Sequence, residues 1–279
     1  MSHAIAADSA RIHYTALGSG GDPLLLLSGQ SLDHRMWAGV DTALARRHRV
    51  ILLDARGTGG SDTPEPPDGA AGYTTRLFAD DALAVLDALG IGRAHVYGFS
   101  MGGRVAQVLA AMAPERVGAL VLGSTGPGGT LEAARPPEAT RALRRAASPE
   151  GRDAVADLFF TPAWGGAHPG IVASILPANT RHAQRLHYAA SSGHDAEGLL
   201  GAIRAPTLVL HGGDDLLTPA ANAGILADRI PGARVHIFPG ARHGYLHEAR
   251  PEADGAVLDF LAAHPLAAAP PGVPEALSP

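Results

Sequence analysis

Ala94-His95-Val96-Tyr97-Gly98-Phe99-Ser100-Met101-Gly102-Gly103 is the stretch on which the fold turns. An apolar run, Ala94–Tyr97, stops at a Gly98-Phe99-Ser100-Met101-Gly102 turn of the form G-x-S-x-G. A helical pattern follows at once: Val105, Val108, Leu109 and Met112 share one stripe of 104–112, and Pro114 closes it. Strand, sharp turn and helix are the setting in which such a serine becomes an exposed nucleophile. The turn forces the serine into a strained backbone conformation, and glycine on both sides removes the Cβ atoms that would obstruct it. The bland alternative is a glycine-rich turn carrying an inert serine, and the pentapeptide alone does not separate the two.

Working outward, short apolar runs alternate with helical patterns along most of the chain. Leu24–Leu27, Val50–Leu53, Ala119–Leu122, Thr207–Leu210 and Val235–Phe238 join Ala94–Tyr97 as even, nearly continuous runs. Such runs predict parallel strands buried on both faces. Ile12–Thr15 is expected as an edge strand before the Gly18–Gly21 turn. A helix is expected over 75–89 with Thr74 as its N-cap, and another from Pro251 to about Leu261. The alternation lapses between Gly126 and Gly201, where helical segments are punctuated by Pro149, Pro162, Pro169 and Pro177. The expected class is therefore α/β: a doubly wound, mostly parallel sheet with an inserted helical lid over the edge where ligands bind. The division expected is a core over 1–125 and 201–264, a lid over 126–200, and a disordered Ala/Pro-rich tail over 265–279.

Composition removes several chemistries. The 279 residues include no cysteine, and all 22 cationic side chains are arginine. Thiol nucleophiles, Fe–S clusters, Schiff-base lysines and a P-loop lysine are excluded. A net charge of −5 with scattered arginines gives no reason to expect nucleic acid. No apolar run approaches the length of a membrane span or a signal peptide, so a cytoplasmic protein without a membrane partner is expected. Oligomeric state is not legible.

A serine needs a base, and the base needs an orienting acid. Thr207–Leu210 runs into His211-Gly212-Gly213-Asp214-Asp215, and Val235–Phe238 runs into Pro239-Gly240-Ala241-Arg242-His243-Gly244. Both loops leave the same sheet edge as Ser100, which gives the chain order serine, acid, histidine. At this point the sequence resembles the α/β-hydrolase fold family over about 12–261. The resemblance is carried by the elbow, the turn Asp54-Ala55-Arg56-Gly57-Thr58-Gly59-Gly60-Ser61-Asp62, the acid turn Gly212–Pro219 and the histidine turn. It implies Ser100, Asp215 and His243 as the triad, with Asp214 the alternative acid. It also implies an oxyanion hole from the Met101 N–H and one N–H of the loop Leu27-Ser28-Gly29-Gln30-Ser31, Gln30 first and Ser31 second. Many relatives have His-Gly where this chain has Ser28-Gly29, a departure that bears on how the loop is braced.

Ser31, Trp37, Phe159, Trp164 and His187 are the expected substrate contacts, although aromatic residues of a lid also serve as its own core. His34, His182 and His194 read as solvated, and the four-residue spacing of His243 and His247 falls in a loop unsuited to a metal site. Neither metal nor cofactor is expected. Among relatives, the chain is most similar to the enol-lactonase, cofactor-free haloperoxidase and small-esterase groups, which implies a serine hydrolase acting on a small carboxylic ester or lactone. C–C bond hydrolysis, acyl transfer or perhydrolysis on the same triad, and a non-hydrolytic binding protein or cyclase, remain alternatives.

Overall fold

The computed structural model describes residues 2–66, 72–144, 149–176 and 178–267. Eight strands form one sheet: β1 (Ser2–Ile5), β2 (Arg11–Leu17), β3 (Pro23–Leu27), β4 (Arg49–Leu53), β5 (Ala94–Phe99), β6 (Val117–Gly123), β7 (Thr207–Gly212) and β8 (Arg234–Phe238). Their order is β1-β2-β4-β3-β5-β6-β7-β8. The β1–β2 and β2–β4 pairs are antiparallel and every other pair is parallel. The helices are α1 (Val40–Leu44), α2 (Thr75–Ala88), α3 (Met101–Met112), α4 (Pro137–Arg144), α5 (Pro149–Phe159), α6 (Pro162–Ala167), α7 (Pro169–Ser174), α8 (Arg181–Ser192), α9 (Ala221–Arg229), α10 (Tyr245–Glu248) and α11 (Arg250–Ala262).

The continuous apolar runs have a simple cause. Successive strand side chains point to opposite faces, and here both faces are covered. Leu25 and Leu27 of β3, with Ile51 and Leu53 of β4, pack into the cluster beneath α2 and α3. Leu24, Leu26, Val50 and Leu52 pack into the other, beneath α1 and α11. Two strand expectations need correction. Ile12–Thr15 is not at the edge, because β1 pairs outside it. The last run is not buried: β8 has no partner beyond it among the described residues, and Val235 and Ile237 are exposed. The helix limits fall where expected. Thr74 Oγ1 accepts the Leu77 N–H at 3.0 Å to cap α2, and Pro251 lies in the first turn of α11.

Between β6 and β7 the chain makes α4 to α8, and Pro137, Pro149, Pro162 and Pro169 each open a helix. The prolines expected to interrupt helices thus begin them, where the missing N–H costs nothing; Pro177 lies outside the described residues. Val155, Leu158, Phe159, Phe160 and Ile175 join the same buried cluster as β3 and α11, so this segment shares the core of the sheet. The tail expected from Pro265 is docked at its start: the Leu266 N–H meets Asp22 Oδ2 at 2.9 Å, while 268–279 lie outside the described residues. No helix among the described residues is long and apolar enough to cross a membrane.

Three buried histidines pin distant segments together. His247 Nε2 donates to the Met36 carbonyl (2.9 Å), His194 Nδ1 meets Thr75 Oγ1 (3.0 Å), and His187 Nε2 donates to the Arg56 carbonyl (2.7 Å). Burial lowers the pKa of His187 and His247 to about 4 and, with the Arg104 charge nearby, that of His194 to about 3. The unfolded chain therefore binds more protons than the folded one below about pH 6.5. The stability these neutral rings contribute is complete above that pH and is lost as the pH falls toward 4, by on the order of 1.4 kcal/mol per histidine per pH unit. His34 opposes the trend: its hydrogen bond to Asp54 raises its pKa, so its contribution is complete at low pH and lost as the pH rises. Melting temperatures are expected to decline progressively between about pH 6.5 and pH 4.5. A flat profile would mean that the three rings are not held neutral.

Candidate active site

β5 ends at Phe99 and α3 begins at Met101, which leaves Ser100 alone between them at φ 54°, ψ −118°. An L-residue holds that conformation only when its surroundings over-determine it. The Ser100 N–H donates to the Gly123 carbonyl (2.8 Å), and its own carbonyl accepts from Thr125 Oγ1 (2.8 Å) and the Gly103 N–H (2.9 Å). The turn closes tightly enough that a Cβ on Gly98 would stand 2.3 Å from the Gly102 carbonyl oxygen. One on Gly102 would stand 2.1 Å from that of Leu27, so these glycines are needed because α3 crosses directly against β3 and β5.

Beyond β7, the Asp215 carboxylate is buried and divides its two oxygens. Oδ1 accepts the Leu217 and Thr218 N–H groups, both at 2.8 Å. Oδ2 faces His243 Nδ1 at 2.7 Å and His211 Nε2 at 3.2 Å. Burial alone would raise the pKa of Asp215, but the electrostatic interaction with the facing His243 and the hydrogen bonds from both rings outweigh it and hold the carboxyl well below its usual range. Asp214 is exposed, and Asp215 is the acid bonded to the histidine.

His243 follows β8. Its Nδ1 carries the proton donated to Asp215, and in the neutral imidazole Nε2 is then the nitrogen with the lone pair. That Nε2 is buried and has no hydrogen-bond partner among the described residues. The ring sits between Phe99 (5.1 Å between centroids) and Phe159 (4.9 Å, edge-on). Ser124 Oγ donates to its carbonyl at 2.8 Å. The loop is also clasped by the junction of α5 and α6: the Gly244 N–H donates to the Phe159 carbonyl (2.7 Å), and Glu248 accepts from the N–H groups of Thr161 and Arg242 (both 2.6 Å).

The loop after β3 passes beside the serine, since a Cβ on Gly29 would stand 3.5 Å from Ser100 Cβ. Ser28 braces it by donating to the Asp33 carbonyl (3.3 Å) and accepting from Trp37 Nε1 (3.1 Å). Asp54 secures the loop from the other side. Its Oδ1 accepts the His34 N–H and Nδ1–H (both 2.8 Å), and its Oδ2 accepts from His13 Nδ1 (2.8 Å) and the Gly60 N–H (2.9 Å). His13, His34 and Asp54 offer atoms within 4.8 Å of one another, close enough for a shared ion. Each carboxylate oxygen, however, is already taken by two donors. Burial raises the Asp54 pKa and the donors more than reverse this, to about 2, so the cluster is a hydrogen-bond hub.

The Gln30 and Met101 N–H groups have no acceptor among the described residues. Ser31 differs: its N–H donates to His187 Nδ1 at 3.1 Å, which leaves Gln30 as the free donor of that loop. Ser100, Asp215, His243, Met101 and the Gln30 loop therefore meet at one sheet edge. The expected substrate contacts fare less well. Trp37 is fully buried against Tyr97 and Phe99 with its Nε1 engaged, and presents no surface to a ligand. His187 has both nitrogens committed to the protein. Phe159 covers His243, Ser31 is buried, and Trp164 stacks on His168 at 4.0 Å, half-buried beside Phe160. The His243 and His247 rings address different partners. The sequence reading missed Ser124, Thr125, His211 and Glu248. Ser124 and Thr125 were signalled by polar residues directly after a buried strand at the edge that carries Ser100.

Comparison with known proteins identifies the family and the fold. Residues 22–249 match the family model described as alpha/beta hydrolase fold. A Variovorax paradoxus protein named "Putative carbamate hydrolase RutD" is 33% identical over 94% of this chain and 99% of its own. A 2-hydroxy-6-oxononadienedioate/2-hydroxy-6-oxononatrienedioate hydrolase of Cupriavidus pinatubonensis is 32% identical over 90% of each. The crystal structure of the enol-lactonase from Burkholderia xenovorans LB400 superposes with a TM-score of 0.81 at 27% identity, over 94% of this chain and all of that one. The chain belongs to the α/β-hydrolase fold family and is a hydrolase of that fold.

Proposed function

We propose that the protein is a serine hydrolase that cleaves a small carboxylic ester or lactone through an acyl-enzyme on Ser100. The observation that carries this reading is the Asp215–His243 bond of 2.7 Å, which leaves a buried, unpartnered His243 Nε2 at the edge occupied by the strained Ser100. In this mechanism Ser100 Oγ attacks the acyl carbonyl while His243 Nε2 takes its proton. Asp215, held ionised by its donors, stabilises the imidazolium that forms. The oxyanion develops between the Gln30 and Met101 N–H groups, and His243 returns the proton to the leaving oxygen. Water activated by the same nitrogen then clears the acyl group. The likeness to an enol-lactonase supports the lactone arm. The 32% identity to a 2-hydroxy-6-oxononadienedioate/2-hydroxy-6-oxononatrienedioate hydrolase supports a second reading, C–C hydrolysis on the same triad, and the likeness to RutD makes a carbamate a third substrate to assay.

Hydrolysis of p-nitrophenyl esters of increasing chain length, and of small lactones, is expected for the wild type. Ser100→Ala and His243→Ala should each lower kcat by on the order of 10⁴-fold or more. Turnover of a vinylogous diketone or a carbamate with no activity on any ester or lactone would transfer the reading to that bond. Full ester turnover by Ser100→Ala would overturn the nucleophile.

Asp215→Asn keeps the shape but removes the charge and favours the wrong imidazole tautomer, so a fall of roughly 10³–10⁴ in kcat is expected. Asp214→Asn should leave kcat within about twofold, as expected for an exposed side chain off the triad. A reversed ranking of these two variants would reassign the acid.

A further inference from the structure

His187 lies on α8, inside the helical segment, yet its two nitrogens reach two loops of the sheet. We propose that His187 is a positioning residue for the oxyanion hole, a neutral imidazole that holds Ser31 and thereby aims the Gln30 N–H at the reacting carbonyl. The proposal rests on the serine-hydrolase reading above.

Ser31 has φ 61°, in the left-handed region that costs a non-glycine residue on the order of 1 kcal/mol or more. Its own hydroxyl does nothing to hold it there, because Oγ is buried without a partner. Two bonds hold it: the Leu32 N–H donates to the Gly29 carbonyl (3.1 Å) and closes the turn, and the Ser31 N–H donates to His187 Nδ1 at 3.1 Å, the one tie from that turn to the helical segment. Fixing that N–H fixes the plane of the Gln30–Ser31 peptide, and through it the orientation of the residue that carries the free donor. Without His187 only the bond that closes the turn remains, and the Gln30–Ser31 peptide gains freedom to rotate and carry the Gln30 N–H out of line.

His187 can serve as a strut because it is immobile itself. Nε2 donates to the Arg56 carbonyl at 2.7 Å, so the proton sits on Nε2 and Nδ1 is the acceptor. Arg56 is fully buried, with its Nε and Nη2 on the two oxygens of Asp81 (2.7 and 2.5 Å) and its Nη1 on Asp8 (2.7 Å). The imidazole is packed against Phe78 (5.0 Å) and Tyr73 (6.2 Å), and a Cβ on Gly57 would stand 3.4 Å from Nε2. Anchor, ring and loop form a continuous line from Asp81 through Arg56, His187 and Ser31 to Gln30.

The first measurement is the ¹⁵N spectrum of wild-type imidazoles at neutral pH, with His187 assigned by loss of its signals in His187→Gln. The expected pattern is a proton on Nε2 and a bare, hydrogen-bonded Nδ1; a proton on Nδ1 overturns the proposal, whatever substrate the enzyme takes. The second is kinetic, on the ester cleaved fastest by the wild type. His187→Leu should lower kcat by roughly 10- to 100-fold, short of the 10²–10³ for deleting an oxyanion donor, with KM within about twofold. His187→Gln, whose amide also offers an acceptor and a donor, should recover part of that loss. A folded His187→Leu with unchanged kcat, or a loss confined to KM, overturns the proposal. Ser100→Ala run in parallel separates the two failures: ester turnover that survives it rejects the nucleophile, while the spectrum still decides the strut.

Discussion

The first turn of α3 lies against the end of β3 at a separation that admits only hydrogen at residue 102, and the site depends on that crossing. With α3 so close, the chain between β5 and the helix has one residue in which to turn, and Ser100 takes the strain. The cost is met locally by three successive residues at the end of β6. Gly123 accepts the Ser100 N–H, Thr125 holds the Ser100 carbonyl, and Ser124 between them holds the His243 carbonyl. Ser100 and His243 are therefore referenced to one buried strand, and errors in their relative placement do not accumulate through long loops.

Two buried carboxylates organise the rest, and each holds two histidines. Asp54 holds His13 and His34; Asp215 holds His211 and His243. The difference lies in what remains free. Around Asp54 every lone-pair direction is filled, as suits a brace. Beside Asp215, His211 Nε2 is also bound to the Thr218 carbonyl at 2.7 Å, which leaves its Nδ1 as the bare nitrogen, whereas His243 turns Nδ1 to the acid and keeps a bare Nε2. The same pair of residue types yields a brace at one place and, on the proposed reading, a base at the other.

Much of this was legible in the sequence. Buried parallel strands produce unbroken apolar runs, and loops leaving the same ends of such strands must meet, which is why Ser100, Asp215 and His243 could be read together from separate parts of the chain. What failed was of another kind. Ser2–Ile5 becomes the edge strand through backbone pairing, with no apolar run of its own. Trp37 and His187 read as substrate contacts in the sequence because an aromatic ring near a site has the same letter whether it faces a ligand or the core. Their roles follow from partners 9 and 156 residues away in the chain, Ser28 and Ser31 respectively, and no local pattern encodes such a choice. Asp215 was separable from Asp214 only by the family pattern, and the hydrogen bonds now separate them.

Two attachments of the segment between β6 and β7 differ in kind. Backbone carbonyls at the end of α5 meet the histidine loop, and one imidazole on α8 meets the loop after β3. In recombination between relatives this sets an asymmetric rule. A transplanted segment brings the carbonyls automatically, whatever its sequence, but brings the imidazole only if its helix has histidine at that one place. For the loop after β3 a chimera is then constrained at a single residue, whereas the histidine loop asks only for a helix that ends in the same place.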